Sequence, residues 1–145
     1  MSTKTRKRKQ TSKQTKKEIA FNKVQDSGER RKFKSGAHRD MSSGKGRFDL
    51  LSPISLTRLA RHFENGAVKY GDRNWEKGLP MSSFFDSAVR HMYKYLEGHK
   101  DEDHLAAAMW NVHCLIHTEE MINRGIFSKE LNDMPQYLEV KDENR

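Results

Sequence analysis

The chain has 145 residues, enough for one small domain, and a single cysteine, which excludes an intrachain disulfide. Its net charge of +8 is concentrated at one end, because residues 1–40 carry fourteen lysines and arginines against four acids, a balance of +10 that leaves −2 for the rest. No apolar run is long enough to cross a bilayer or to form a signal peptide, so we predict a soluble cytoplasmic protein with no membrane partner.

The first third of the chain is predicted to be a disordered basic tail. Residues 1–45 are rich in Lys, Arg, Ser, Thr, Gln and Gly and have few large apolar residues, so burial cannot offset the chain entropy lost on folding. The basic block at residues 4–9 suits non-specific contact with nucleic acid. We divide the remainder into a helical domain over residues 46–125 and a C-terminal extension over residues 126–145.

The first predicted helix covers residues 54–70, after the start signal Ser52-Pro53. Gly66 lies inside it and costs about 1 kcal/mol relative to alanine, so we expect close approach of another helix or of a ligand there. Apolar residues recur at spacings of three and four and predict its buried face, which consists of Leu56, Leu59, Ala60, Phe63 and Ala67.

A loop is predicted at residues 71–80, which are bracketed by glycines and closed by a proline. Within five residues it offers two cations, an amide and an aromatic plane, a combination that suits phosphates and a flat base. An equally weighted alternative is that the aromatic ring fills the core and the charges are solvated. The residues concerned are Arg73, Asn74, Trp75 and Lys77.

The second predicted helix begins at a cap formed by Ser82-Ser83 and ends at Glu97, before Gly98. His91 borders its apolar stripe, flanked by Arg90, and is either a structural histidine or part of a site. The predicted buried stripe consists of Phe85, Ala88, Val89, Met92 and Leu96, and a second row beside it contains Phe84, Ala88, His91 and Tyr95.

The third predicted helix follows an acidic cap at residues 101–103 and ends near residue 123. His104 and Asn111 are nearly two turns apart, so they share a face and need either buried polar partners or a ligand with its metal. Cys114 is predicted to be a core residue rather than a nucleophile. The predicted core face is the apolar stripe Leu105, Ala108, Met109, Val112, Leu115 and Ile116.

Apolar and polar residues do not alternate over any stretch long enough to predict a strand. The predicted fold class is therefore all-α, a small bundle of three to four helices. Three helices of this length make a thin core for one chain. We therefore expect a homo-oligomer, a dimer or a tetramer, that completes the bundle.

Three blocks in a fixed order carry a resemblance to a known family: GAVKYGDRNWEKG at residues 66–78, the pair Arg90-His91, and HLAAAMWN at residues 104–111. Over roughly residues 46–122 the chain resembles the N-terminal domain of phage and bacterial dATP/dGTP diphosphohydrolases. The resemblance implies a relative of the all-α, MazG-like nucleotide pyrophosphohydrolases. In that superfamily, helices of associated subunits build the site, carboxylates hold a divalent metal, and water attacks the nucleotide to release pyrophosphate.

The MazG-like pattern is a Glu-Glu-x-x-Glu helix followed by a Glu-x-x-Asp helix, and neither motif stands on the predicted helices of this chain, so a metal cage must come from other acids. The enzyme hypothesis places Mg²⁺ or Mn²⁺ on Glu64 and Asp103, where it lowers the pKa of a bound water. Asp103 is thus a catalytic candidate, and His91 or His104 takes the proton as general base. The predicted purine nucleotide contacts are phosphate clamps by Lys69, Arg73, Lys77 and Arg90, base stacking by Tyr70 and Trp75, and base-edge hydrogen bonds from Asn74 or Asn111.

Two other functions fit the sequence. A non-catalytic protein that sequesters a signalling nucleotide would keep the cations and aromatic rings and would not need paired carboxylates. A basic DNA-associated accessory protein would use the helices for dimerisation and residues 1–40 for DNA.

Overall fold

The computed structural model describes residues 26, 28–135 and 137. The described part of the chain divides after Gly46 into two compact units. The basic block at residues 4–9 lies outside the described residues. Within the described ranges, no helix is long and apolar enough to span a membrane.

The first unit contains a two-stranded antiparallel hairpin, β1 (Arg30–Lys32) and β2 (His38–Asp40). In its turn, the Gly36 N–H donates to the Phe33 carbonyl at 2.9 Å, and Gly36 has a φ of 83°, which glycine adopts without steric cost. The expectation that no segment forms a strand is therefore wrong here. Backbone pairing around this turn forms the hairpin, whose strands are polar throughout and carry no apolar alternation.

The second unit contains three helices, α1 (Pro53–Tyr70), α2 (Met81–Leu96) and α3 (His104–Asn123). The predicted small helical bundle is confirmed. α1 begins as its sequence predicts, with Pro53 in the first turn and the Ser52 side chain accepting a hydrogen bond from the Ser55 N–H. Short 3₁₀ turns lie at Phe48–Leu50, Asn74–Lys77 and Lys129–Leu131.

α3 is the central helix, since both α1 and α2 pack against it. Its buried apolar residues are small, which lets α2 approach closely. The buried apolar side chains of this unit are Leu59, Met81, Phe84, Ala88, Ala106, Ala107, Ala108 and Cys114.

The predicted core face of α3 is wrong in part. Ala108 is buried and Leu105 and Leu115 are half-buried, but Met109, Val112 and Ile116 are 39%, 46% and 61% exposed and face outward. The buried face has the same helical spacing but is built from small and polar residues, namely His104, Ala107, Ala108, Asn111, Cys114 and Thr118.

The predicted stripe of α2 is also wrong in part. Phe85, Met92 and Leu96 are exposed, whereas Ala88, which both rows share, and Phe84 of the second row are buried. Both helices therefore turn their bulky apolar residues outward in the single chain. We call this set of exposed residues on the two helices the outer apolar face; it consists of Phe85, Val89, Met92, Met109, Val112 and Ile116.

The C-terminal extension packs onto the helices near the start of α2. The Asp133 carboxylate accepts hydrogen bonds from the Ser82 N–H at 2.9 Å and from the Ser82 hydroxyl at 2.5 Å. α2 begins at Met81, and no side-chain hydrogen bond from its N-cap residue, Pro80, supports this start. An acid from the extension thus takes the place of the predicted Ser82-Ser83 cap.

Candidate functional site

A cavity of about 730 Å³ lies between α1, the loop that follows it, and the α2–α3 pair. Its volume is in the range of small-molecule binding sites. The 66–78 motif supplies much of its wall, and α3 contributes Trp110 and Asn111. Six of the predicted site residues line this cavity: Glu64, Tyr70, Arg73, Asn74, Trp75 and Asn111.

Trp75 both packs in the core and lines the cavity. Its ring meets those of Phe63, His113 and His117 edge to face, with centroids 5.6, 5.6 and 4.9 Å away. Burial lowers the pKa of His113, so the imidazole that contacts the Trp75 indole favours its neutral form. The alternatives weighed for Trp75 are thus not exclusive, because core contacts hold the ring that forms the cavity wall.

Gly66 also lines the cavity. No atom lies within 4 Å of the position where a Cβ would stand, apart from its own chain neighbours and helix backbone. Close approach of another helix is therefore not the reason for this glycine, and the open space beside it belongs to the cavity.

Arg73 has a left-handed backbone, with φ 55°, and among the described residues it is the one non-glycine with positive φ. Its guanidinium pairs with Glu76 at 2.5 Å. The left-handed conformation is unfavourable for a residue with a side chain, and residues that adopt it are often found at binding sites.

Asn111 is buried, and its Nδ2 donates to the Ala107 carbonyl at 2.9 Å. No other hydrogen bond of this amide is found in the described part of the chain. The remaining N–H and the oxygen are therefore available to a guest in the cavity.

A second cluster lies where α2 ends and α3 begins. The Nδ1 atoms of His91 and His104 are 3.1 Å apart, and Glu102 Oε1 is 3.5 Å from each. His104 is only 2% exposed, and its Nε2 lies 2.9 Å from an Asp101 carboxylate oxygen. The hydrogen bond to His104 lowers the pKa of Asp101, and burial lowers the pKa of His91.

Asp103 has a structural role in this chain. Its carboxylate accepts a hydrogen bond from the Ala106 N–H at 3.0 Å, which caps α3. It also accepts two hydrogen bonds from Arg58, at 2.6 and 2.8 Å, and this contact lowers the pKa of Asp103 to about 2.

Three of the predicted phosphate clamps do not line the large cavity. Arg90 pairs with Asp86 on the surface, Lys69 lies over the Tyr70 ring at 4.9 Å, and Lys77 is exposed. The structure therefore brings Trp75 and Asn111 together but leaves the histidine pair in a separate cluster, because residues 104 and 111 are about 10 Å apart along one helix face.

The carboxylate cage that the resemblance implied is not formed within the described residues, since Glu64 and Asp103 line different cavities. In those residues the one group of three candidate metal ligands is His91, Glu102 and His104. The sequence reasoning missed Glu102 as a site residue. The available signal was the acidic triplet before His104, which it interpreted as a cap.

Comparison with known proteins gives one match. The family model described as dATP/dGTP diphosphohydrolase, N-terminal, matches residues 35–126, more than half of the chain. The matched segment includes all three helices, the large cavity and the histidine cluster. No curated protein and no solved structure matches the chain.

Proposed function

Since the chain belongs to the dATP/dGTP diphosphohydrolase N-terminal family, we propose that it is a metal-dependent pyrophosphohydrolase of purine nucleoside triphosphates, with dATP and dGTP as the first candidates. The reaction adds water at the α-phosphate and releases the nucleoside monophosphate and pyrophosphate. The observation that carries the proposal is the 730 Å³ cavity, whose wall is built from the 66–78 motif.

The cavity supports binding of the purine and its sugar. Trp75 and Tyr70 provide aromatic surface for the base, and Asn111 provides a donor and an acceptor for its edge. Arg73 supplies a cation at the rim, with the forked geometry that phosphate oxygens favour.

We place the reacting phosphate beside the histidine cluster, and the positions of the two helices support this. Ser83 and Ser87 line the cavity, and His91 follows one turn further along α2; on α3, His104 lies two turns before Asn111. The cluster thus lies about 6 Å from the cavity along α2 and about 10 Å along α3, a reach comparable with that from a base to its phosphates. When bound there, a divalent ion such as Mn²⁺ would offset phosphate charge and lower the pKa of a water molecule.

The test is a product analysis with purified protein. The protein is incubated with dATP, dGTP, ATP or GTP and with Mg²⁺ or Mn²⁺, and the products are followed by phosphorus NMR. We expect the nucleoside monophosphate and pyrophosphate in equal amounts. Quantitative recovery of intact nucleotide together with a nucleotide-dependent rise in melting temperature would instead indicate sequestration.

A matched pair of variants tests the cavity. We expect Asn111→Ala to lower kcat/KM about fivefold, because one hydrogen bond to the base edge is worth about 1 kcal/mol. Alanine keeps the helix, since its helix propensity exceeds that of asparagine. Asn123→Ala, at the exposed end of the same helix, should leave kcat/KM unchanged. Equal effects of the two substitutions would remove Asn111 from the binding site.

We further propose that a second copy of the chain covers the outer apolar face. Bulky apolar side chains are exposed on both α2 and α3, which pack together, and a contiguous exposed apolar patch marks a protein–protein contact.

The basic hairpin favours a second, non-catalytic activity. Arg31 lies opposite Arg39 in the register of β1 and β2, and both side chains are exposed. The hairpin thus offers adjacent cations to a phosphate backbone. Binding to DNA that weakens steeply with salt and is lost on deletion of residues 1–40 would support this activity.

A further inference from the structure

We propose that His91, Glu102 and His104 form a binding site for one transition-metal ion of the Zn²⁺, Co²⁺ and Mn²⁺ class, and that Asp101 is a positioning residue for His104. In this assignment the two histidines act as metal ligands rather than as general bases. Metal binding here requires no nucleotide, so the inference goes beyond the proposed hydrolysis and is measured without it.

The spacing of the three donor atoms matches a metal site. The triangle of His91 Nδ1, His104 Nδ1 and Glu102 Oε1 has sides of 3.1, 3.5 and 3.5 Å. The point in its plane that is equidistant from the corners is about 2.0 Å from each, close to the bond lengths of zinc to nitrogen and oxygen. An ion slightly outside this plane reaches all three atoms without movement of the backbone.

The orientation of His104 is fixed by Asp101. Nε2–H of His104 donates to the Asp101 carboxylate at 2.9 Å, which leaves the Nδ1 lone pair directed at His91 and Glu102. A carboxylate on the far nitrogen of a histidine ligand is the usual support of protein metal sites. The imidazole of His104 is almost completely buried, so it cannot turn away to solvent.

The chemistry of the donors selects the ion. Two imidazole nitrogens and one carboxylate oxygen suit a borderline transition metal, whereas Mg²⁺ prefers an octahedron of oxygens. The Glu102 side chain is 43% exposed, so one side of the cluster is open to solvent. Three protein ligands with an open position are characteristic of catalytic rather than structural zinc sites.

Co²⁺ provides a direct spectroscopic test. Full-length protein treated with a chelator is titrated with Co²⁺, and the visible ligand-field absorption is followed. We expect saturation at one ion per chain, displacement by Zn²⁺, and no displacement by a hundredfold excess of Mg²⁺. Absence of the absorption band, or displacement by Mg²⁺, would overturn the proposal.

Matched variants identify the ligands. His91→Gln and Glu102→Gln should each abolish the band, whereas His99→Gln and Glu97→Gln should retain it. The two control residues are of the same types, lie next to the cluster, and bond to each other at 3.1 Å. Asp101→Asn should weaken Co²⁺ binding by about 10- to 100-fold.

Circular dichroism and the melting temperature of each metal-free variant show whether that variant is folded. Because Glu102 is partly exposed, Glu102→Gln tests the assignment even if a histidine variant unfolds. Co²⁺ binding by Glu102→Gln equal to wild type, or loss of binding in His99→Gln, would contradict the ligand set. Metal binding without nucleotide turnover would uphold this inference and reject the proposed hydrolysis, and turnover without the band would do the reverse.

Discussion

Thr118 and Cys114 lie on the buried face of α3, and burial has different consequences for each. The Thr118 hydroxyl has no hydrogen-bond partner among the described residues and is shielded from water. Burial raises the pKa of the Cys114 thiol to about 12. A buried hydroxyl without a partner lowers stability, whereas a buried neutral thiol behaves as a small apolar group.

Replacing Thr118 by valine should stabilise the protein. Valine keeps the shape and removes the unpaired hydroxyl, so we expect the free energy of unfolding to rise by about 1 kcal/mol in urea denaturation. Thr57→Val is the control, because its hydroxyl donates to the Pro53 carbonyl at 2.7 Å on an exposed helix surface. A loss of stability in Thr118→Val would show that the hydroxyl has a partner, such as bound water.

Cys114 should not react with thiol reagents in the folded protein. At pH 8 a thiol with a pKa of about 12 is almost entirely protonated, and this one is fully buried. We expect no labelling by dithionitrobenzoate in native buffer and one labelled thiol per chain in denaturant. Rapid native labelling would contradict the described burial of α3.

The His104 result shows what a sequence can predict about a single residue. The spacing of His104 and Asn111 correctly indicated that both need polar partners, and both have them. The choice among the three acids before His104 was beyond the sequence. Asp103 is the cap, and Arg58, 45 positions away, also binds its carboxylate, while Asp101 and Glu102 lie beside the histidines.

At the scale of elements, the start of α2 depends on the C-terminal extension. The two hydrogen bonds from Ser82 lower the pKa of Asp133, so the charged form is favoured in the folded state. The stabilisation is therefore complete above the unfolded-state pKa of about 4 and is lost as the pH falls through the lower folded-state value.

Asp133→Ala should lower the melting temperature at pH 7, and the difference from wild type should shrink as the pH falls below about 4. Glu130→Ala removes an exposed acid from the same extension and serves as the control. A difference that grows on acidification would rule out Asp133 as an ionised cap of α2.

Helix positions could be predicted from the sequence, but helix faces could not. Caps and glycines are local signals, and they located α1 and α3 to within a few residues. Two rows of residues with the same helical period compete on α2 and α3, and hydrophobicity favoured the wrong one. The small and polar row is buried because it lets α2 and α3 approach closely, and it places His104 and Asn111 in the interior.

At the scale of the whole molecule, the outer apolar face should mediate self-association. Ile116→Asp places a charge among these residues and should reduce the mass measured by light scattering to that of one chain. Val68→Asp is the control, since Val68 is an apolar residue on α1 that is 87% exposed and lies outside this face. A wild-type protein with the mass of a single chain would reject the assembly.

The chain has two tryptophans, and both line the large cavity. Trp110 meets the rings of Phe63 and Phe84 edge to face, at 6.0 Å each, while Trp75 lies against two imidazoles. The tryptophan fluorescence of the protein therefore arises entirely from residues that line this cavity. A guest that enters it should change the emission without any attached dye, which gives a label-free optical signal for screening nucleotides at low protein concentration.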